Sequence, residues 1–325
     1  MYAILVFVSL LFCFSHFTFN LFCFFTPTDV CQWCVIHHLK TQLLKMEYIY
    51  HSLSGNVTER HTYLNSFSNT AHSAQYGINQ FSSLTPEEFR DVYLRTITDS
   101  APLFSGPKAK GLPARFDWRD RSVVAPVQNQ QACGSCWAFS VVGAVQAANA
   151  ITGSPLQQLS VQQVVDCSFL NHGCNGGSPT KALTWLQQTR VKLVPESEYP
   201  YTGETGICRF FSDSQAGVVL QNFTAHNFSG QEEAMMGQLV SHGPLTAIVD
   251  AVSWQDYLGG IIQHHCSSHW SNHAVLVVGY DTTGEIPYWI VQNSWGTTWG
   301  NAGYVYVKIG GNLCGIADSV ATVFL

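Results

Sequence analysis

A chain of 325 residues exceeds what one hydrophobic core usually organises, so length favours two folding units, or one two-lobed domain behind a processed segment. Hydrophobic residues at 46% and aromatics at 13% exclude a disordered chain, and a net charge of −6 excludes a strongly basic nucleic-acid binder. Charged residues are only 11%, against roughly 25% in ordinary soluble chains, and residues 1–39 contribute just Asp29, so an apolar leader explains part of the deficit. Residues 1–111 carry 7 acidic and 7 basic side chains and residues 112–325 carry 14 and 8, which places the negative excess in the second part.

Residues 1–25 are almost wholly apolar and read either as a membrane span or as a cleaved secretory signal. Three N-x-S/T sequons, at Asn56, Asn222 and Asn227, favour the signal and an exported chain. The 11 cysteines divide into Cys13, Cys23, Cys31 and Cys34, then Cys133, Cys136, Cys167, Cys174, Cys208, Cys266 and Cys314. Seven in an exported domain read as three disulfides and one thiol left over, with the pairing open.

From about residue 40 to 95 the pattern is helical with balanced charge, and residues 103–111 are rich in Pro, Gly and Lys, an exposed stretch suited to cleavage. Residues 136–151 carry an apolar stripe that starts after Ser135 and stops at Gly153, as a buried helix would. Ser160 with Gln163, and Ser229 with Glu232, read as capping boxes of two further helices, the second closed by Gly243-Pro244. Pro179 suits the first turn of a helix running to about Arg190. Residues 245–252, 274–280, 288–291 and 304–309 are short β-branched or aromatic runs. Helices first and strands second predict an α+β fold with two lobes and a cleft between them.

The chemistry concentrates in residues 128–140, Q-N-Q-Q-A-C-G-S-C-W-A-F-S. A thiol attacks only as thiolate, and an ordinary cysteine is only a few per cent ionised at pH 7. Placing Cys136 at a helix N-terminus lowers its pKa, because unpaired N–H groups and the helix dipole favour negative charge there. His273 lies 137 positions downstream at the entry to a strand, and Asn293, in Q-N-S-W-G, can accept from the imidazole and hold its tautomer.

C-G-S-C-W, a distant N-H-A and N-S-W-G together resemble the papain family of cysteine proteases, over the 214 residues from Leu112 to Leu325. The resemblance implies a papain-like two-lobed fold, a helical lobe and an antiparallel β-barrel lobe flanking the active-site cleft. It implies that Cys136 is the nucleophile, His273 the general base and acid, Asn293 the orienting residue and Gln130 an oxyanion donor, with Trp295 shielding the His273–Asn293 bond. It pairs Cys133 with Cys174, Cys167 with Cys208 and Cys266 with Cys314, leaving Cys136 free. Gly176 and Gly177 resemble the loop that bonds extended substrate, where glycine admits another backbone. Pro179, Ile248, Ala274 and Ser319 fall where the family lines its main specificity pocket, and none is charged, so an apolar residue is expected just before the residue at the cut. Only 31 positions separate Gly177 from Cys208, too few for the long insertion that makes some relatives carboxydipeptidases, so endopeptidase activity is expected.

Tyr76-Gly77-Ile78-Asn79-Gln80-Phe81 and Leu84-Thr85-Pro86-Glu87-Glu88-Phe89 resemble the family's inhibitory prosegment. Ser83 stands where the family motif has an acid, and the helix that Glu59-Arg60 begins departs from the family pattern further on. The implied organisation is a signal peptide at 1–25, a propeptide at 26–111 and a peptidase domain at 112–325. The implied product is a lysosomal or secreted zymogen without cofactor or metal. It acts on protein or peptide substrates, is inhibited by its own propeptide, and is monomeric, with no nucleic-acid partner and no stable membrane association after processing. A catalytically silent homologue acting as a binding protein is the principal rival. Cys133-x-x-Cys136 also matches a thioredoxin-type dithiol, and Cys31-x-x-Cys34 with His37-His38, and His264-His265-Cys266, superficially match metal ligands.

Overall fold

Upstream of residue 112 the chain forms α1 (Val57–Asn65), β1 (Gln75–Tyr76) and α2 (Pro86–Tyr93). α2 begins where several start signals coincide. Thr85 accepts from the Glu88 N–H, Glu88 accepts from the Thr85 N–H at 2.8 Å, and Pro86 occupies the first turn, where its missing N–H costs nothing. The computed structural model describes residues 57–68, 72–107, 109–209 and 216–325, so the apolar leader, the Asn56 sequon and the Cys31-x-x-Cys34 cluster lie outside it. No described helix is long and apolar enough to cross a membrane.

β2 (Arg115–Asp117) precedes three helices, α3 (Cys136–Ile151), α4 (Val161–Cys167) and α5 (Pro179–Thr189). In α3, 12 of 16 residues are buried, as expected of a helix that is apolar all round. It packs on α4 and α5 and on the sheet strands Leu245–Val249, His273–Asp281 and Val320–Phe324, so it forms the seam between the helical and sheet halves. Ser160 accepts from the Gln163 N–H as predicted, but the box is not reciprocal: the Gln163 amide instead donates to Lys192 O at 2.9 Å and accepts from the Val194 N–H. α5 starts on Ser178 and Pro179 and ends at Arg190.

The remaining elements are β3 (Asn222–His226), α6 (Glu232–His242), β4 (Leu245–Val249), β5 (Tyr257–Gly259), β6 (Ile261–Ile262), β7 (His273–Asp281), β8 (Tyr288–Gln292), β9 (Tyr304–Lys308) and β10 (Val320–Phe324). Ser229 does not cap α6. Its cap is Gln231, because Glu232 is drawn away to accept from Trp289 Nε1 at 3.2 Å and from the Gly310 N–H at 2.9 Å. The sheet runs β3-β10-β4-β7-β8-β9-β6, with β2 added on β7. β7 is buried along all but its last residue, which suits a central strand covered on both faces. Gly279 admits β2 there: a Cβ at that position would stand 2.5 Å from Phe116 O.

Two expectations about this half are corrected. The ladder is an open path and not a closed barrel among the described residues, and the β6–β9 pair is parallel. The outer edge of the two-residue β6 is occupied from elsewhere: Ala74 N–H donates to Ile261 O at 2.9 Å and Ile261 N–H to His72 O at 2.8 Å. β1 pairs with β5 beside it. Upstream residues thus cover an edge that would otherwise expose unpaired backbone groups.

Candidate active site

Cys136 is the first residue of α3, and His273 the first of β7, so the packing of α3 on β7 brings together residues far apart in sequence. Both are fully buried. Burial pushes the Cys136 thiol up, but the charge and hydrogen bond of His273, the Ala274 N–H and the Thr96 hydroxyl outweigh it and leave the thiol below its ordinary value. His273 Nε2 lies 2.7 Å from Asn293 Oδ1. With Nε2 held there, Nδ1 is the ring nitrogen left to serve the sulfur. The Trp295 ring lies 4.6 Å from the imidazole at an interplanar angle of 33° and is itself buried, so water is kept from that face.

Gln130 Nε2 donates to Cys133 O at 2.7 Å and faces Tyr93 O at 3.4 Å, while its Oε1 accepts from Ser294 Oγ at 2.7 Å. The amide is therefore oriented by its oxygen, and one of its two hydrogens is directed at the upstream segment. Sequence reasoning missed Tyr201, whose hydroxyl donates to Gln130 O at 2.7 Å and lies 2.7 Å from Ser135 Oγ. It ties the residue before the thiol to the loop bearing Gln130, and nothing in its local sequence marks it.

The upstream segment fills the cleft. Thr96 Oγ1 lies 3.0 Å from Cys136 Sγ, the Ile97 N–H donates to Gly177 O at 2.8 Å, and the Gly177 N–H donates to Arg95 O at 3.2 Å. A Cβ on Gly176, where φ is +114°, would stand 2.3 Å from Arg95 O, so only glycine lets that backbone approach. Phe81 and Phe89 pack edge-on against Trp295 with centroids 5.4 and 5.2 Å away. No acid stands at residue 83, yet an acid closes this cluster in space: Asp256, fully buried, accepts from Arg60 Nε and from Arg60 Nη2 at 3.1 Å, and Ser82 Oγ lies 3.4 Å away.

Of the expected pocket residues, Ile248 and Ala274 are register partners and the Ile248 N–H donates to Ser319 O at 3.2 Å. Pro179 belongs to a different element, the first turn of α5, and all four are buried. The cysteines pair as Cys133–Cys174, Cys167–Cys208 and Cys266–Cys314, with Cys136 free. Cys133 is thus not joined to Cys136 as a thioredoxin-type dithiol would be, and Cys266 is committed to a disulfide. No cluster of three metal-ligating side chains occurs among the described residues. Asn222 is exposed at the start of β3, whereas Asn227 is half-buried and its backbone pairs with Pro102 O and the Phe104 N–H.

A family model described as papain family cysteine protease matches residues 112–324. The chain belongs to the papain family of cysteine proteases. It is a cysteine-type peptidase by that membership. It is 58% identical over 271 residues to mouse cathepsin O, covering 82% of this chain and 87% of the relative, and 58% identical over 273 residues to human cathepsin O, covering 82% and 85%. This agrees with the stretch Trp254-Gln255-Asp256-Tyr257-Leu258-Gly259-Gly260 through His264-His265-Cys266-Ser267, which resembles cathepsin O more than cathepsins L or B. The solved digestive procathepsin L2 of Tenebrio molitor matches with a TM-score of 0.75 at 29% identity, covering 89% of this chain and 99% of that one. A recombinant stem bromelain precursor matches with a TM-score of 0.74 at 31% identity, covering 86% and 92%.

Proposed function

We propose that the protein is a lysosomal or secreted endopeptidase, made with a signal at 1–25 and a propeptide at 26–111, and matured near Gly111–Leu112 to a monomeric enzyme. The observation that carries this reading is the Cys136–His273–Asn293 line, a buried thiol with lowered pKa beside an imidazole held at 2.7 Å by an amide oxygen. Gly111 is exposed with nothing within 4 Å of a Cβ position, which suits a processing site.

In the reaction, the Cys136 thiolate attacks the peptide carbonyl and His273 protonates the leaving amine. The oxyanion is held by the Cys136 N–H, which has no intrahelical acceptor at the first helical position, and by the Gln130 hydrogen released from Tyr93 O when the propeptide leaves. Water, deprotonated by His273, then hydrolyses the thioester. Ile248, Ala274, Ser319 and Pro179 take an apolar side chain, and Gly176 and Gly177 bond the extended substrate. Asn222, which is exposed, carries a glycan more readily than Asn227.

Processed, reduced protein at pH 5–6 should take an active-site-directed epoxide on Cys136, found by mass spectrometry. Cys136→Ala should lose turnover by at least about 10⁴-fold with its melting temperature retained. An intact Cys136 that takes no label would favour the silent homologue.

A further inference from the structure

We propose that the cleft holds an acid-selecting subsite, built by the Ser178 and Thr180 hydroxyls at the N-terminus of α5, which takes a substrate glutamate or aspartate about three residues to the N-terminal side of the scissile bond. The inference rests on the proteolytic reading above.

The upstream segment acts as an occupant that reports on the subsite. Its Thr96 stands abreast of the nucleophile, its next residue bonds Gly177, and three residues beyond Thr96 the Asp99 carboxylate reaches α5. Asp99 Oδ2 accepts from Thr180 Oγ1 at 2.6 Å and also from Ser178 Oγ. Ser178 is fully buried, and its Oγ accepts from the Lys181 N–H at 3.3 Å and lies 2.8 Å from Thr180 Oγ1.

Counting hydrogens shows why an anion is wanted. Each hydroxyl has one hydrogen, and both are spent on the same carboxylate oxygen, so the contact between the two hydroxyl oxygens has no hydrogen of its own. Once Asp99 departs with the propeptide, one hydroxyl can donate to the other, and the remaining hydrogen is left for water or for an incoming carboxylate. The α5 helix spans 11 residues, and its N-terminal dipole adds positive potential where the carboxylate sat. Pro179 lies between the two hydroxyl residues and is also expected to line the pocket before the residue at the cut. That places the subsite on the acyl side of the substrate.

The test uses matured protein and peptides that differ only by Glu or Gln at each of the positions two to four residues before the cut, assayed at pH 5.5, where a free glutamate is ionised. At one of these positions kcat/KM should favour Glu by about 10-fold, the scale of one charge-assisted hydrogen bond. Thr180→Val should bring that ratio down to about 2-fold, with its fold checked by circular dichroism. Ratios near one at every position, with the peptides still cleaved, would overturn the subsite and leave the protease reading standing. A Glu preference that survives Thr180→Val would also overturn it. If no peptide is cleaved and Cys136 takes no epoxide, the proteolytic reading falls and the subsite with it.

Discussion

The cleft has two sides held by different physics. The α3–β7 seam is an apolar interior with continuous backbone ladders and disulfides nearby, and its polar members, Cys136, His273, Gln130 and Asn293, are fully or almost fully buried. The upstream segment has no long ladder on the rest of the chain: it makes a two-residue pairing with β5 and scattered backbone bonds, at residues 72–74, 96–97 and 102–104, and adds side-chain contacts, namely the Arg60–Asp256 ion pair, the rings on Trp295, and the carboxylate of Asp99 on two hydroxyls. Hydrophobic burial responds little to pH or to one lost charge, whereas a buried charge pair fails when one partner goes. The share of the segment's hold that rests on charge pairs can thus be undone by single changes.

The sharpest way to break that contrast is Arg60→Ala. It leaves the fully buried Asp256 with only Ser82 Oγ and His61 Nε2, each 3.4 Å away, which should weaken closure of the segment by up to about 3–5 kcal/mol and appear as early processing or epoxide labelling of the full-length protein. Arg60→Met with Asp256→Leu should recover much of the latency, because an apolar pair of similar volume carries no stranded charge. On the other side of the cleft, Gln130→Ala should slow kcat by roughly 10²–10³-fold, the usual scale for an oxyanion donor, with thermal stability changed little. Equal loss of folded protein in Gln130→Ala and Cys136→Ala would mean that these residues are structural.

The smallest expected effect is a pH dependence at His265. Burial, and next the charge of His264, lower its pKa to about 4, with the Leu64 backbone opposing, and its ring packs on Phe67, Tyr63 and Tyr76 of the upstream segment at 4.8, 5.1 and 6.4 Å. The closed state therefore binds fewer protons than an opened one with an ordinary pKa near 6.5. Closure is strongest above about 6.5 and is lost progressively as pH falls towards 4. Limited proteolysis of the segment against pH should show that window, and His265→Asn should flatten it.

Much of the catalytic half was readable because its signals are local. The apolar run after Ser135, ending at Gly153, needs no tertiary information to read as a buried helix with a thiol at its start, and the strand runs after residue 245 match β4, β7, β8 and β9 within a few residues. The misreadings have one cause. Glu232 looked like the second half of a capping box, but Trp289 Nε1 and the Gly310 N–H, 57 and 78 positions away, compete for its carboxylate. No acid stands at residue 83, and the acid that pairs with Arg60, Asp256, lies 196 positions away in sequence. No window of sequence can register such a partner.

The sequence by itself determined the residue types that the chemistry requires, the helix that carries the thiol at its start and the spacing of the strands, because propensity, capping and periodicity act within a few residues. Tertiary structure alone decided that the sheet stays open with upstream residues on its edge, that Thr96 covers the sulfur, and that hydroxyls on α5 hold a carboxylate. Those outcomes depend on which distant groups compete for the same hydrogen bonds once the chain is packed, and that competition exists only in three dimensions.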